Sequence, residues 1–298
     1  MRGSCGLAVA AALILALAGC GLRRERGSSA AQAHYVVGPA YRAGGEWRYP
    51  REFDRYDRTG LAMVIPPDHG STTADGEDFD QASLTAQSPV LPLPSIVRVT
   101  NLVNGRSMMV RVNDRGPEIP GRVIAVTRKV ARNLGFPRGG IVEVRVELLS
   151  DRSDALQQAL GAGPHLTAAP VASVDAAPLA PPPGASGSAG KAGPRTARPT
   201  GRTPRHTDLG RLSGRVTAVR PDPGPLFVEI PGFGSSADAF DLLQRRLAGL
   251  QGRVVPRPGG SRTLYAVRLG PYRSVDAADH ALHDVLRRGV PDPEIVVH

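Results

Sequence analysis

The sequence predicts a mainly β domain, a small β-barrel, followed by a smaller α+β domain of ferredoxin-like type, with a disordered linker between them. Short stretches that alternate apolar and polar residues recur between residues 61 and 148, and turn-forming residues separate them. Residues 223–298 contain a strand–helix–strand pattern twice. The intervening stretch is rich in Ala, Pro, Gly, Ser and Arg, and its middle has too few large apolar residues to bury a core.

The first residues are typical of a bacterial export signal. Arg2 precedes an apolar run over 7–18 that is too short for a comfortable membrane span. The run ends in Leu-Ala-Gly-Cys, which resembles the lipobox of bacterial lipoproteins, and this resemblance implies lipid modification of Cys20. A plain secretory signal with an incidental cysteine is the alternative. Gly21, rather than Asp, favours the periplasmic face of the outer membrane. Cleavage leaves one cysteine, which excludes an intramolecular disulfide.

The formal net charge of +10 at pH 7 lies to a large extent in residues 186–222. A basic chain often binds nucleic acid, but export excludes that partner. Anionic polymers of the cell envelope or lipid headgroups are then the expected counterparts. A basic linker without a dedicated partner fits the composition equally well.

The stretch 93–117 predicts two half-buried strands joined by a tight turn. Apolar and polar residues alternate at 97–100 and again at 109–112. Asn104-Gly105 between them is expected to supply the positive φ angles of a hairpin turn. The second strand runs into Asn113-Asp114-Arg115-Gly116-Pro117, which places an acid between an amide and a base. This strand end is either a chemical site or an ordinary surface ion pair.

Further elements complete the predicted barrel. Strands are expected at 61–65, 91–100, 108–113, 122–126 and 141–148. A short helix should begin at the cap residue Thr127, bury Val130, Ala131 and Leu134, and end at Gly135. Residues 68–80 form a polar loop rich in acids. The aromatic residues of 35–56, which include the single tryptophan, either line a sugar-binding groove or cover a sheet.

The last 76 residues predict a β-α-β-β-α-β order. Strands are expected at 227–233, 253–255, 265–272 and 294–297. One helix follows Ser235 and a second follows Ser274. Their expected apolar faces are Phe240, Leu243 and Leu247 in the first helix, and Ala278, Ala281, Leu282, Val285 and Leu286 in the second. The sheet face opposite the helices would remain open for a ligand.

These patterns divide the chain into five segments. We expect a lipoprotein signal peptide over 1–19, a tether over 20–33, the barrel over 34–149, a disordered linker over 150–222 and the α+β domain over 223–298.

Two families are similar to these domains. Residues 34–149 resemble the rare lipoprotein A (RlpA) family through Leu91-Pro-Leu-Pro-Ser-Ile-Val-Arg-Val-Thr-Asn-Leu, Asn104-Gly-Arg, Val110-Arg-Val-Asn-Asp-Arg-Gly-Pro and Gly121-Arg-Val-Ile. Residues 223–298 resemble a SPOR domain. The first resemblance implies a double-psi β-barrel and a lytic transglycosylase that cleaves the MurNAc–GlcNAc bond and leaves a 1,6-anhydro-MurNAc end. The second implies binding to glycan strands stripped of stem peptides, as found at division septa.

The RlpA resemblance assigns the catalytic residues. Glu77 lies where the family has its Ala-Asn-Gly-Glu segment, and we expect it to act as acid/base with Asp114 as electrostatic partner. The family's His position is Ser88, which cannot carry a proton as imidazole does. His69 is a candidate substitute. The residues expected to support catalysis are Ser88, Asn113, Arg115 and His69.

Other departures from the families affect sugar contacts. The family's Ala-Ser-Trp-Tyr-Gly segment is Ala62-Met63-Val64-Ile65-Pro66 here, so an aromatic platform is lost. The common Asp after Arg-Ile-Ile is Ala125. In the SPOR part, Glu229 replaces Gln and would place a negative charge on the sugar-binding face. The expected glycan-binding residues are Phe233, Glu229, Tyr265, Arg268 and Gly270.

The sequence therefore predicts a lipid-anchored peptidoglycan lytic transglycosylase enriched at the septum. It needs no metal or cofactor, and division proteins are further candidate partners. A catalytically impaired envelope protein of the same build, which binds glycan through both domains, is the alternative. An adaptor whose barrel recruits another cell-wall enzyme is a third class.

Overall fold

The computed structural model describes residues 33–162, 212–259 and 262–298. The predicted signal peptide, the predicted lipidation site Cys20 and the middle of the predicted linker lie outside these ranges. No helix within the described ranges has the length and apolar character needed to cross a membrane.

The first domain is a closed β-barrel, as predicted, and it has six strands, one more than the five expected from the sequence. A small hairpin, β1 (Tyr41–Ala43) and β2 (Glu46–Arg48), precedes it. The barrel strands are β3 (Asp57–Val64), β4 (Thr85–Gln87), β5 (Ser95–Asn101), β6 (Arg106–Asp114), β7 (Arg122–Val126) and β8 (Val142–Leu148). They are hydrogen-bonded in the order β4-β7-β3-β8-β5-β6, and β6 pairs back with β4 to close the barrel. The pairs β3–β7 and β4–β6 are parallel.

The alternation read from the sequence matches the burial of the strands. Val97, Val99, Val110 and Val112 are fully buried in the barrel core. Helix α1 (Arg128–Leu134) buries the three predicted residues and ends at Gly135, which adopts the left-handed conformation with φ 69°. Thr127 is the N-cap residue of this helix, as predicted, but its side chain makes no capping hydrogen bond. Its hydroxyl instead donates to the Ser83 carbonyl at 2.7 Å.

The β5–β6 turn differs from the predicted two-residue turn. The two strands are joined by the four residues 102–105, and only Gly105 among them has a positive φ, 73°. Asn104 accepts from the Arg106 N–H at 2.9 Å and donates to the Leu134 carbonyl, so its side chain ties the turn to helix α1. A Cβ at position 105 would stand 2.0 Å from the Val219 carbonyl oxygen, which requires glycine there.

The predicted linker boundaries 150–222 are wrong at both ends. Helix α2 (Ser150–Ala159) packs on β5, where the Ser153 hydroxyl accepts from the Ile96 N–H at 2.9 Å and the Gln157 amide donates to the Pro94 carbonyl. Strand β9 (Thr217–Ala218) pairs with the start of β6. The sequence concealed α2 because polar side chains, rather than an apolar face, make these contacts.

The second domain has the predicted β-α-β-β-α-β order. Its elements are β10 (Leu226–Phe233), α3 (Ser236–Arg245), β11 (Gly252–Gly259), β12 (Arg262–Tyr272), α4 (Val275–Arg287) and β13 (Glu294–Val297). The antiparallel sheet has the order β11-β12-β10-β13. Ser235 and Ser274 cap the helices, as predicted. Phe240 was expected to face the core but is 56% exposed, because Ala239 occupies the inward position.

The two domains share an interface that the sequence did not predict. The buried guanidinium of Arg122 on β7 donates two hydrogen bonds of 2.7 Å to Asp279 on α4. The Thr59 hydroxyl of β3 donates to the Val297 carbonyl of β13 at 2.7 Å. Leu61 and Leu102 of the barrel belong to the apolar cluster of the second domain. The second domain is therefore docked on the barrel.

Candidate active site

The candidate site lies where strands β4 and β6 end. The strands are parallel, so their C-terminal ends meet at the same edge of the barrel. Gln87 pairs with Asp114 there, one residue out of step with the Ala86–Val112 pair, which marks a β-bulge. A bulge re-aims the side chains of a strand end. Asn113 and Asp114 are thereby presented to the polar loop 68–80.

The Asp114 carboxylate has a partner on each side. Its Oδ1 accepts from the backbone N–H of Ala74 at 2.9 Å and of Arg115 at 2.8 Å. Its Oδ2 accepts from the Gln87 amide at 2.8 Å and lies 2.8 Å from His69 Nε2. A carboxylate in such contact with an imidazole fixes the orientation of the ring. The structure therefore brings together two of the predicted site residues from different elements.

Glu77 lies on the same loop and contacts the same strand end. Its Oε1 is 2.7 Å from Arg111 Nη2, and its Oε2 accepts from the Asn113 amide at 2.8 Å. About a quarter of the side chain is exposed. Glu77 and Asp114 therefore belong to one polar cluster. The strand residue Asn113, next to Asp114, donates to Glu77, and the loop residue Ala74, near Glu77, donates to Asp114.

A buried acid that the sequence analysis passed over organises this loop. The Oδ1 of Asp75 accepts from the Thr73 hydroxyl at 2.7 Å and from the Glu77 N–H at 3.2 Å. Its Oδ2 is 3.6 Å from Arg111 Nη2. Burial raises the pKa of the Asp75 carboxyl, and the neighbouring Glu77 charge raises it further, against the lowering effect of the Thr73 hydrogen bond. Asp75 shapes the loop that presents Glu77.

We expect Asp75→Asn to make stability less dependent on pH. The folded pKa of Asp75 is raised, so its contribution to the free energy of unfolding is fully present below the ordinary Asp value and is lost as the pH rises through the folded pKa. Asparagine retains an acceptor for Thr73 and Glu77 but cannot ionise. Urea unfolding at several pH values should show that the free energy of unfolding of the variant increases relative to that of the wild type as the pH rises towards neutral. A deficit of the variant that is equal at all pH values would contradict this role.

Comparison with known proteins agrees with both domains. Residues 59–146 match a double-psi β-barrel family model described as lytic transglycolase, and residues 222–296 match the SPOR domain. Endolytic peptidoglycan transglycosylase RlpA of Pseudomonas aeruginosa strain UCBPP-PA14 is 32% identical over 277 residues, which cover 91% of this chain and 78% of the relative. The chain belongs to the RlpA family. The protein of the same name from Yersinia pestis is 44% identical over 36% of this chain and 31% of its own length. The one from Salmonella typhimurium strain LT2 is 37% identical over 54% of this chain and 40% of its own length.

Two residues at RlpA motif positions contribute to the shape of the site. The buried Ser88 hydroxyl accepts from the N–H groups of Val90 and Leu91 and so closes a turn. The Arg115 guanidinium donates to the carbonyls of Leu91 at 2.5 Å and Val37 at 2.6 Å. Burial lowers the pKa of Arg115. Ser88 and Arg115 therefore hold the segments around the site, and neither side chain is described in contact with the Asp114 carboxylate.

The SPOR domain corrects the expectation for Glu229. This side chain is fully buried, and the Arg257 guanidinium donates two hydrogen bonds to it, at 2.7 and 2.8 Å. Arg268 lies 3.6 Å from the same carboxylate. Glu229 therefore does not place an exposed negative charge on the sheet, because paired arginines cover it.

The other predicted SPOR residues lie on two sides of the sheet. Phe233 and Tyr265 pack against the apolar cluster that the helices cover. Arg268 is on the opposite face, with its guanidinium 5.2 Å from the Phe227 ring centroid. Gly270 has φ 111° in the run that ends at Tyr272. Sequence reasoning missed Phe227, which lies two residues before Glu229 on β10, and Arg257 of β11, whose long side chain reaches Glu229 from a distant segment.

Proposed function

We propose that the chain is a lipid-anchored, endolytic lytic transglycosylase of peptidoglycan that its SPOR domain directs to peptide-stripped glycan at the septum. Membership of the RlpA family supports this, since both domains align with a relative named endolytic peptidoglycan transglycosylase. The observation that carries the proposal is the 2.8 Å contact between His69 Nε2 and Asp114 Oδ2 beside Glu77. It supplies a proton carrier in place of the histidine of the RlpA motif, whose position is occupied by Ser88 in this chain.

The proposed reaction needs two proton movements and no water. The bond between the MurNAc anomeric carbon and the GlcNAc oxygen breaks, and that oxygen takes a proton from an acid. The MurNAc 6-hydroxyl attacks the anomeric carbon and gives up its proton to a base, which leaves the 1,6-anhydro ring. A carboxylate close to the anomeric carbon stabilises the oxocarbenium-like transition state.

The geometry suggests a role for each group. The His69 imidazole gives the proton to the leaving oxygen and takes one from the 6-hydroxyl, while Asp114 holds the ring and stabilises its charge. Glu77 is the second carboxylate, with Asn113 and Arg111 fixing its direction. This moves the acid/base role that the motif assigned to Glu77 to His69, and Asp114 remains the electrostatic partner of the acid/base group.

Anchoring and placement complete the proposal. Acyl chains on Cys20 would hold the mature protein at the periplasmic face of the outer membrane by burying methylene groups. The basic stretch 186–222 would reach anionic polymers or lipid headgroups, and division proteins are candidate partners at the septum.

A second candidate is a non-catalytic glycan-binding envelope protein of the same build. The observation that favours it is the change at two RlpA motif positions, Ser88 for His and 62–66 for the aromatic segment. Both candidates bind peptide-stripped glycan, so a test must separate binding from cleavage.

The test incubates the soluble chain, residues 21–298, with amidase-treated and with intact peptidoglycan. The proposed function predicts that the protein pellets with the amidase-treated polymer and releases soluble fragments from it with time. Pelleting without release would support the non-catalytic candidate. Equal pelleting with intact polymer would contradict the preference for stripped glycan.

A further inference from the structure

The β1–β2 hairpin exposes two large aromatic side chains. Trp47 is 51% and Tyr49 is 58% exposed. Trp47 lies in β2, with its side chain on the opposite face from Glu46 and Arg48, and Tyr49 directly follows the last residue of the strand. Exposed aromatic groups that lie together mark binding surfaces, because most such rings are covered. The hairpin precedes residues 59–146, the part that matches the barrel family model.

The inward face of the hairpin is largely buried. Glu46 is 6% exposed and pairs with Arg48 at 2.5 Å. Burial raises the pKa of Glu46, and the charge of Asp292 in the second domain acts in the same direction. The register places Arg42 opposite Trp47, and its guanidinium is 5.9 Å from the Trp47 ring. The exposed rings therefore lie opposite a buried face, and Asp292 of the SPOR domain is close enough to Glu46 to act on its charge.

The hairpin also borders the candidate active site. The Tyr41 hydroxyl donates to the Pro89 carbonyl at 3.2 Å, next to the turn that Ser88 closes. At the hairpin turn, a Cβ on Gly44 would stand 1.9 Å from the Glu118 carbonyl oxygen. Glu118 lies in the loop that follows Asp114, the last residue of β6, and the same loop carries Ile119, which is 45% exposed. The hairpin that carries the two exposed rings thus packs against the segment that leads out of the site.

We propose that this hairpin is a glycan-binding platform on which Trp47 and Tyr49 stack against sugar rings of the strand that leaves the active site towards the SPOR domain. The proposal rests on the proposed function for its ligand, a peptidoglycan glycan strand. The apolar C–H faces of pyranose rings suit flat aromatic surfaces, and peptide removal uncovers these faces. The platform takes the place of the aromatic segment that residues 62–66 no longer provide.

The single tryptophan of the chain makes a direct binding test. Intrinsic tryptophan fluorescence of the soluble chain reports on Trp47 alone. The Asp114→Asn variant, used to prevent turnover, is titrated with glycan strands prepared by amidase treatment. We expect a saturable change in emission that Tyr49→Ala weakens and that Phe240→Ala, which removes an equally exposed ring on α3, leaves unchanged.

Pelleting with the same glycan distinguishes failure of the aromatic platform from failure of the proposed function. Binding by pelleting with an unchanged Trp47 emission would overturn the platform and leave the proposed function standing. Absence of binding by both readouts would overturn both.

Kinetics give a second, independent readout. The double variant Trp47→Ala with Tyr49→Ala is expected to raise KM for long glycan strands about tenfold while kcat stays within about twofold, because stacking is lost equally from ground and transition states. Phe240→Ala should retain the wild-type KM. A double variant with the wild-type KM would overturn the proposal.

Discussion

Replacing Asp114 with Asn is expected to lower the rate of glycan cleavage by about a hundredfold or more, the usual contribution of a positioned acid–base pair. Asparagine keeps an oxygen for the Ala74 and Arg115 N–H groups but removes the negative charge that lies 2.8 Å from His69. The fold should persist, since these loop contacts remain. Initial rates of fragment release and circular dichroism measure the two effects.

The chain offers a matched control for this variant. Asp57→Asn changes a barrel aspartate that pairs with Arg145 away from the site, and we expect it to leave the rate unchanged. His69→Ala should also lower the rate strongly, because it removes the proposed proton carrier. Wild-type rates in Asp114→Asn would contradict the assignment of the site, and wild-type rates in His69→Ala would return the acid role to Glu77.

Asp279→Ala is expected to lower the free energy of unfolding by about 3 kcal/mol, the usual cost of leaving a buried charge without its partner. The Arg122 side chain is 3% exposed, and Asp279 provides both of its described hydrogen-bond acceptors. This loss in the free energy of unfolding should be larger than the loss caused by removing one partner of an exposed ion pair. Urea unfolding of the full soluble chain measures it.

Asp241→Ala is the control for this prediction. Asp241 pairs with Arg245 on α3, and both side chains are more than half exposed. Such a pair contributes less than about 1 kcal/mol. We expect Arg122→Met combined with Asp279→Leu to recover much of the loss, because it removes both charges. Equal losses in Asp279→Ala and Asp241→Ala would contradict the docking of the SPOR domain through Arg122.

The parts of the fold that depend on local periodicity could be predicted from the sequence. The alternation at 97–100 and 109–112 identified the barrel strands, and Ser235, Ser274 and Gly135 marked helix ends. These signals are local, because burial of one face constrains residues two positions apart in a strand and three to four positions apart in a helix.

Contacts between distant segments could not be read in this way. The Arg122–Asp279 pair joins residues 157 positions apart, and nothing in either local sequence distinguishes it from a surface pair. The same holds for the contact of His69 with Asp114, although the loss of imidazole at Ser88 pointed to His69 as a substitute. Helix α2 was missed since composition alone suggested disorder.

The most direct test of the account is the identity of the glycan ends formed in water enriched in heavy oxygen. Intramolecular attack by the 6-hydroxyl predicts products one water molecule lighter than hydrolysis products, with anhydro ends, no heavy oxygen in the product, and none of these ends from Asp114→Asn. Mass spectrometry of fragments released from amidase-treated peptidoglycan measures both features. Reducing ends that carry heavy oxygen, or anhydro ends that persist in Asp114→Asn, would contradict the account.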